Sequence, residues 1–218
     1  METTQPVISV RGEARLEVEP EIAVVSVTIE ARDRDRRTVL DRLATRNRQL
    51  TDLVKSRGEA IEKLESGPVI VHPELKDKKP GERIARYVGR ASLTVTVRDF
   101  TVLGELTSAI ADSELVTVAG PWWQLRPASP VYREARLAAA RDAIVRAGEY
   151  AEAFGGRVAG LIEAADTGMM TGPGDRSLHF RAASLSAPGP AEMDFEPARQ
   201  TVTAQIEARF AMQLSAAD

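Results

Sequence analysis

Cysteine is absent from the 218 residues of this chain. Its absence removes disulfide bonds, thiolate metal ligands and cysteine nucleophiles together. A chain without cysteine fits a reducing compartment, although many exported proteins also lack cysteine. The sequence therefore excludes several kinds of chemistry but does not fix a location.

Histidine is scarce as well, with two copies, His72 and His179. A zinc site needs about three or four correctly spaced ligands, and no His-x₃-His or His-x-x-Glu-His spacing occurs. A lone histidine bonds to neighbouring groups far more often than it binds metal. We therefore predict neither a metal nor another cofactor.

Long apolar runs and an excess of one charge are also missing. No run approaches the roughly 18 apolar residues of a membrane helix. The N-terminus lacks the basic and apolar regions of a secretory signal. We predict no transmembrane segment and a cytoplasmic location for the chain as written, or export if a leader has been removed.

The net charge of −3 gives no hint of nucleic acid, and residues 33–58 interleave arginine with aspartate and lack aromatics for base stacking. We predict no nucleic-acid binding.

Catalytic motifs are equally hard to find. There is no Gly-x-Ser-x-Gly elbow, no phosphate loop and no dinucleotide fingerprint. Carboxylate pairs such as Glu134 with Glu149 or Asp166 remain open, but acidic residues on helix faces are mostly solvated.

What the sequence does contain is alternating and helical periodicity. The sequence predicts strands at 8–10, 21–31, 60–75, 83–99, 115–127, 157–166 and 201–214. The strand at 60–75 is broken near Gly67-Pro68, and the last strand alternates without a fault. The sequence also predicts three helices, at 33–58, 100–113 and 131–154. Asp99 caps the second, short helix, and Pro130 opens the third. The first helix has its predicted core stripe at Leu40, Leu43, Asn47, Leu50 and Val54. The third has it at Leu137, Ala140, Ile144, Ala147, Ala151 and Phe154.

This order of elements predicts an α+β fold of antiparallel sheets with about three helices packed on them. Its middle has the βαββαβ order of a ferredoxin-like plait. We predict one intertwined unit over residues 7–214, with subdomains at 32–127 and at 7–31 plus 128–214. Residues 168–197 are rich in glycine and proline and predict a long flexible loop.

The two tryptophans are adjacent, in "GPWWQL" at 120–125. Neighbours on a strand point to opposite faces. We expect Trp123 and Leu125 to face the core and Trp122 and Gln124 to face outward, with a bulge at Gly120. Trp122 is then covered by the third helix or the 168–197 loop, by a second subunit, or by a small molecule or peptide. Met169, Met170 and Met193 supply an adaptable or oxidant-sensitive cover from that loop.

Several of these stretches resemble the SIMPL-domain family, which includes YggE-like bacterial proteins. The likeness lies in Tyr87 before "VTVRD", in a strand with Gly120, Trp123 and Leu125, and in the alanine-rich helix closed by glycines. Asn47 in the first helix and the closing strand also fit, so we interpret these five residues as structural. The resemblance implies an α+β fold, a tendency to self-assemble and, for some members, a link to oxidative-stress defence. It supplies no catalytic residues.

The leading hypothesis is a non-enzymatic, self-associating protein that acts through protein contacts, in oxidative-stress protection as the resemblance implies. It predicts a homo-oligomer, with any other protein partner unknown. The alternative is a binding module for a small apolar ligand between the alanine-rich helix and the 168–197 loop. An enzyme that uses carboxylates is the least supported hypothesis.

Overall fold

The computed structural model describes residues 5–76, 84–166 and 195–214. In this part the elements run β1 (Val7–Val18), β2 (Ile22–Asp33), α1 (Arg36–Lys55), β3 (Ile61–Leu75), β4 (Ile84–Val97), α2 (Leu103–Ala111), β5 (Val116–Gln124), α3 (Pro130–Ala153), β6 (Gly156–Asp166) and β7 (Gln200–Leu214). They confirm the predicted α+β class.

The described residues form two compact units. The plait unit comprises residues 19–76, 84–126 and 195–199, and the terminal unit comprises 5–18, 127–166 and 200–214. The plait unit holds a four-stranded sheet in the order β3-β4-β2-β5, and the terminal unit a three-stranded sheet in the order β1-β7-β6. All neighbouring strands are antiparallel.

The unit boundaries differ from the predicted subdomains in two respects: residues 195–199, predicted with the terminal segments, belong to the plait unit, and so does β2. Residues 7–31 were predicted to join the terminal segments as a block, but β1 and β2 separate. β2 pairs with β4 through Val25↔Val95 and with β5 through Val27↔Val118, so it lies in the plait sheet. Hydrogen bonding to two neighbours, which sequence periodicity does not show, decides this placement.

Helix α1 covers one face of the plait sheet. Its N-cap is Asp35, whose carboxylate accepts hydrogen bonds from the backbone N–H of Thr38 at 2.8 Å and from its hydroxyl at 2.9 Å. These bonds to Thr38, the backbone one first, lower the pKa of Asp35. The buried side chains are Val39, Leu43, Leu50 and Val54.

Leu40, which the predicted stripe included, is 42% exposed. The prediction for Leu40 was wrong. Val39 occupies the inner position, and Leu40, the next residue, is rotated by about 100° around the helix axis, away from the sheet. Gly89 of β4 explains how closely the helix lies: a Cβ built there would come within 2.7 Å of a Leu43 methyl group. A small residue on the strand thus brings α1 onto the sheet.

Helix α3 packs on the terminal sheet through a row of alanines. Ser129 caps it by accepting the N–H of Val131 at 3.3 Å, and Pro130 is its first residue, as predicted. The buried residues are Ala135, Ala139, Ala143, Ala147 and Ala151. The predicted stripe was therefore wrong apart from Ala147 and Ala151.

The physical reason is the close approach of α3 to β1. A Cβ on Gly12 would meet the carbonyl oxygen of Ala139 and come within 2.7 Å of the Cβ of Ala143. Only a ridge of small residues spaced by four fits such a contact. The N–H of Glu13 also donates to the carboxylate of Asp142 at 2.8 Å. The larger side chains of α3 consequently point elsewhere.

Candidate functional site

Strand β5 carries the tryptophan pair at one edge of the plait sheet. β2 is its neighbour, and the register shifts between Val24 and Ser26, opposite Trp122 and Ala119. Gly120 lies in this bulge with φ at +111°, and a Cβ there would come within 2.7 Å of the carbonyl oxygen of Val24. Glycine is the residue that tolerates both conditions. The bulge therefore changes the phase of the strand, as expected for Gly120.

Trp123 lies on the side of the sheet that the helices cover. Its ring packs edge-to-face on Phe100, with ring centroids 4.8 Å apart. Tyr87 is half-buried against the same core, and Leu125 is 9% exposed. These three residues thus sit where a structural role requires them.

Trp122 lies on the opposite face, paired with Val24. It is 41% exposed, so the chain leaves much of the indole uncovered. Gln124 is exposed two residues later, and its carbonyl oxygen accepts the N–H of Glu21 at 2.9 Å. The outward direction expected for both residues is what the structure has.

The remaining predicted residues are not brought together with Trp122. Asn47 is half-buried on α1, on the other side of the sheet. Met169, Met170 and Met193, with most of the 168–197 segment, lie outside the described residues. Their role as a cover stays a prediction.

The opposite edge of the plait sheet is also apolar. β3 has β4 as its neighbour, and its Val69 and Ile70 are 60% and 56% exposed. Pro68 within it is tolerated because an edge strand needs fewer ladder hydrogen bonds. Sequence reasoning missed this edge, because an unbroken apolar run such as 69–71 is typical of a buried strand.

Paired charges line the face of the plait sheet that carries Trp122. Glu30 accepts hydrogen bonds from Arg90 at 2.7 Å and from Arg32 at 3.1 Å. The bond from Arg90, followed by its charge and by Arg32, holds the pKa of Glu30 below its usual 4.5. Likewise, the bonds from Arg86 lower the pKa of Glu74. Carboxylates held ionised in this way are poor proton donors at neutral pH.

Glu30→Gln gives a direct test of this pairing. A carboxyl whose pKa is depressed by folding stabilises the fold above its usual pKa, and that stabilisation is lost as the pH falls through the depressed value. The wild type should therefore have a higher urea midpoint than Glu30→Gln at about pH 7, and the difference should shrink below about pH 4.5. A difference that does not change with pH would contradict the assignment.

Two concave surfaces in the described part of the chain are open and lined mainly by polar and charged side chains. One, of about 400 Å³, follows α1 and is lined by Thr38, Asp41, Arg42, Thr45, Arg46 and Gln49. The other, of about 790 Å³, lies on the terminal sheet, where Arg11 pairs with Glu207 at 3.0 Å and Arg209 with Glu163 at 3.2 Å. Sites for apolar ligands are predominantly lined by hydrophobic side chains. Neither surface has that character.

Two of the carboxylates considered for catalysis, Glu134 and Glu149, are widely separated on α3, and the third, Asp166, is the last residue of β6. Glu149 follows Glu134 by fifteen positions, which is about 22 Å at the rise of an α-helix. Catalytic carboxyl pairs of glycosidases stand about 5–9.5 Å apart. Among the residues that the structure describes, no three His, Asp or Glu side chains cluster as metal ligands would. No helix within the same ranges is both long and apolar enough to cross a membrane.

The geometry defines an α+β protein with a ferredoxin-like plait and an uncovered tryptophan at a sheet edge. The sequence model of the SIMPL family, described as a "Protein of unknown function (DUF541)", matches residues 8–210. The chain belongs to the SIMPL family. This finding confirms the resemblance drawn from the tryptophan strand and the alanine-rich helix.

Two curated relatives carry the name "26 kDa periplasmic immunogenic protein", one from Brucella melitensis and one from Brucella abortus. Each is 29% identical to this chain over 177 residues, which is 74% of this chain and 68% of the relative. Their name gives a location and an immune response for those proteins and states no molecular activity.

Proposed function

We propose that this chain is a non-enzymatic protein that self-associates and acts through protein contacts. The single observation that carries the proposal is Trp122, 41% exposed on an edge strand. Tryptophan is among the residues that most often anchor protein interfaces, because its burial releases a large apolar surface from water. An edge strand also presents unpaired backbone groups to a partner.

The surroundings of Trp122 fit a protein partner better than a small molecule. The indole lies on an open sheet face beside Thr117 and Ala119 of the same strand, outside both concave surfaces. A second copy offers the same edge in return, which is the arrangement of a two-fold interface. The oxidative-stress role implied by the resemblance remains a prediction.

Native mass spectrometry tests self-association. The protein is isolated gently from the cytoplasmic and periplasmic fractions of its own host, so that the experiment also gives its location. We expect a discrete multiple of the 23.7 kDa chain mass with nothing else bound. A monomer that carries a reproducible added mass would overturn the proposal in favour of a ligand-binding module.

Trp122→Ala tests the surface. Removing an interface anchor typically costs 2 kcal/mol or more, which corresponds to about a 30-fold weaker association. We expect smaller species in the mass spectrum and a higher dissociation constant in sedimentation. Trp122→Phe retains a ring and should keep most of the assembly. Trp123 remains as the fluorescent reporter of the fold in both variants, and an unchanged assembly of Trp122→Ala would remove this surface from the proposal.

A further inference from the structure

The outward side of helix α3 carries exposed apolar side chains among its charged ones. Ile144 and Val145 are 58% and 57% exposed, and Leu137 is 39% exposed. At 100° per residue, the three side chains fall within an arc of about 100°, which they share with Gly148 and with the exposed charged residues Glu134, Arg141 and Glu152. The opposite side of α3 is occupied by the buried alanine row. The helix thus has exposed apolar side chains on the side that the sheet does not use.

The charges of α3 run against its own dipole. The first half, 130–141, carries three arginines and one glutamate, and the second half, 142–153, carries one arginine, one aspartate and two glutamates. The halves therefore bear net charges of +2 and −2. A helix dipole favours the reverse, with acidic residues at the N-terminus and basic residues at the C-terminus. The first turn has no acidic residue and the last turn no basic one.

The charged side chains that give the two halves of α3 opposite net charges are free to pair with a partner. Arg133, Arg136, Arg141, Glu149 and Glu152 are exposed, and within the described ranges none of them forms an ion pair. The isolated helix therefore carries an unfavourable charge arrangement without local compensation. A partner that presents the opposite polarity would compensate it.

We propose that α3 packs antiparallel against α3 of a second copy of this chain. In that arrangement the positive half of each helix lies beside the negative half of the other, and the two helix dipoles oppose each other favourably. The outward side chains of Leu137, Ile144 and Val145 bury one another about a two-fold axis. Gly148, with nothing within 4 Å of a Cβ built on it, leaves room for a close approach. This inference rests on the proposed self-association and assigns it a surface separate from Trp122.

A charge exchange between two variants tests the pairing. Glu149→Lys with Glu152→Lys makes both halves of α3 positive, whereas Arg133→Glu with Arg136→Glu makes both negative. Each change agrees with the helix dipole, so neither should unfold α3. We expect each variant alone to associate at least about tenfold more weakly at low salt, because like charges then face each other. An equal mixture of the two should regain association, as heterodimers.

An apolar change with a matched control completes the design. Ile144→Ser should weaken association at least about tenfold, because it removes an apolar side chain from the centre of the contact. Leu40→Ser changes a leucine of similar exposure on α1 and should have no effect on assembly. Both are measured by sedimentation and native mass spectrometry of the full chain.

The outcomes distinguish the α3 pairing from the proposed self-association on which it rests. A wild-type chain that stays monomeric overturns both. A wild type that assembles, with both charge variants assembling equally well, overturns the α3 pairing alone and leaves the Trp122 surface. Variants that fail separately and also fail as a mixture overturn the pairing of α3 with its own copy.

Discussion

Replacing Leu43 by alanine should destabilise the plait unit by about 2–5 kcal/mol. Leu43 is 2% exposed on the inner face of α1. One of its methyl groups lies 2.7 Å from where a Cβ on Gly89 would stand, so the side chain packs directly against that glycine. Truncation removes the buried methyl groups and leaves a cavity against a sheet that cannot close it easily. Urea unfolding followed by the fluorescence of Trp123 measures the change.

Leu40→Ala is the matched control for this prediction. It makes the same chemical change three residues away in the same helix, at a side chain that is 42% exposed. The free energy of unfolding should change by less than about 0.5 kcal/mol, as at other surface positions. Equal losses at Leu40 and Leu43 would contradict the helical face assigned to α1.

Gly12→Ala should destabilise the terminal unit by about 1–3 kcal/mol, although it adds a single methyl group. That methyl group would stand within 2.7 Å of the Cβ of Ala143 and against the carbonyl oxygen of Ala139. The obstacle is helix backbone, which cannot rotate away as a side chain can. α3 would have to move off β1, and the bond from Glu13 to Asp142 would lengthen. Hydrogen exchange of peptides from β1, α3 and β7 should become faster.

Gly160→Ala provides the comparison, because a Cβ on Gly160 of β6 has no neighbour within 4 Å. It adds the same group to the same sheet without a clash, so protection of β1 and α3 should stay as in the wild type. If Gly12→Ala left exchange unchanged, the close approach of α3 to β1 would be wrong.

The strands were the part of the fold most open to prediction. β7 alternates along its whole length, and Val202, Ala208, Phe210 and Met212 are buried as that alternation requires. The order of elements also led to the ferredoxin-like plait, because a hairpin between two helices leaves few topologies. Pairing partners were harder, and β2 was therefore grouped with the wrong segment.

Helix faces were harder to predict than strands, because the most hydrophobic residues of α3 are not the ones that are buried. The rule that large apolar residues face inward placed Leu137 and Ile144 in the core. The structure buries alanines there, since Gly12 brings a strand backbone against the helix. A glycine in a strand that otherwise alternates signals such an approach. The same close approach left apolar side chains outside, so the helix error and the surface proposed for α3 have one cause.

The orientation of the two tryptophans could be predicted from the sequence, whereas the exposure of the edge strand β3 could not. Adjacent tryptophans on a strand must diverge, and the glycine before them indicated the bulge that decides which one faces outward. Whether a strand lies at an edge depends on its pairing, so the exposure of β3 could not be read from periodicity.

The order in which the terminal unit can form follows from its pairing. Within the described residues, its first strand, β1, bonds to its last strand, β7. Roughly 180 residues separate the two, which takes about 10–40 s to synthesise at 5–20 residues per second. During that time the plait unit, whose strands and helices fall within residues 19–126, can complete its contacts while β1 has no strand to pair with. Until β7 has been made, the unpaired β1, with its apolar side chains Ile8 and Val10, can be bound by a holding chaperone.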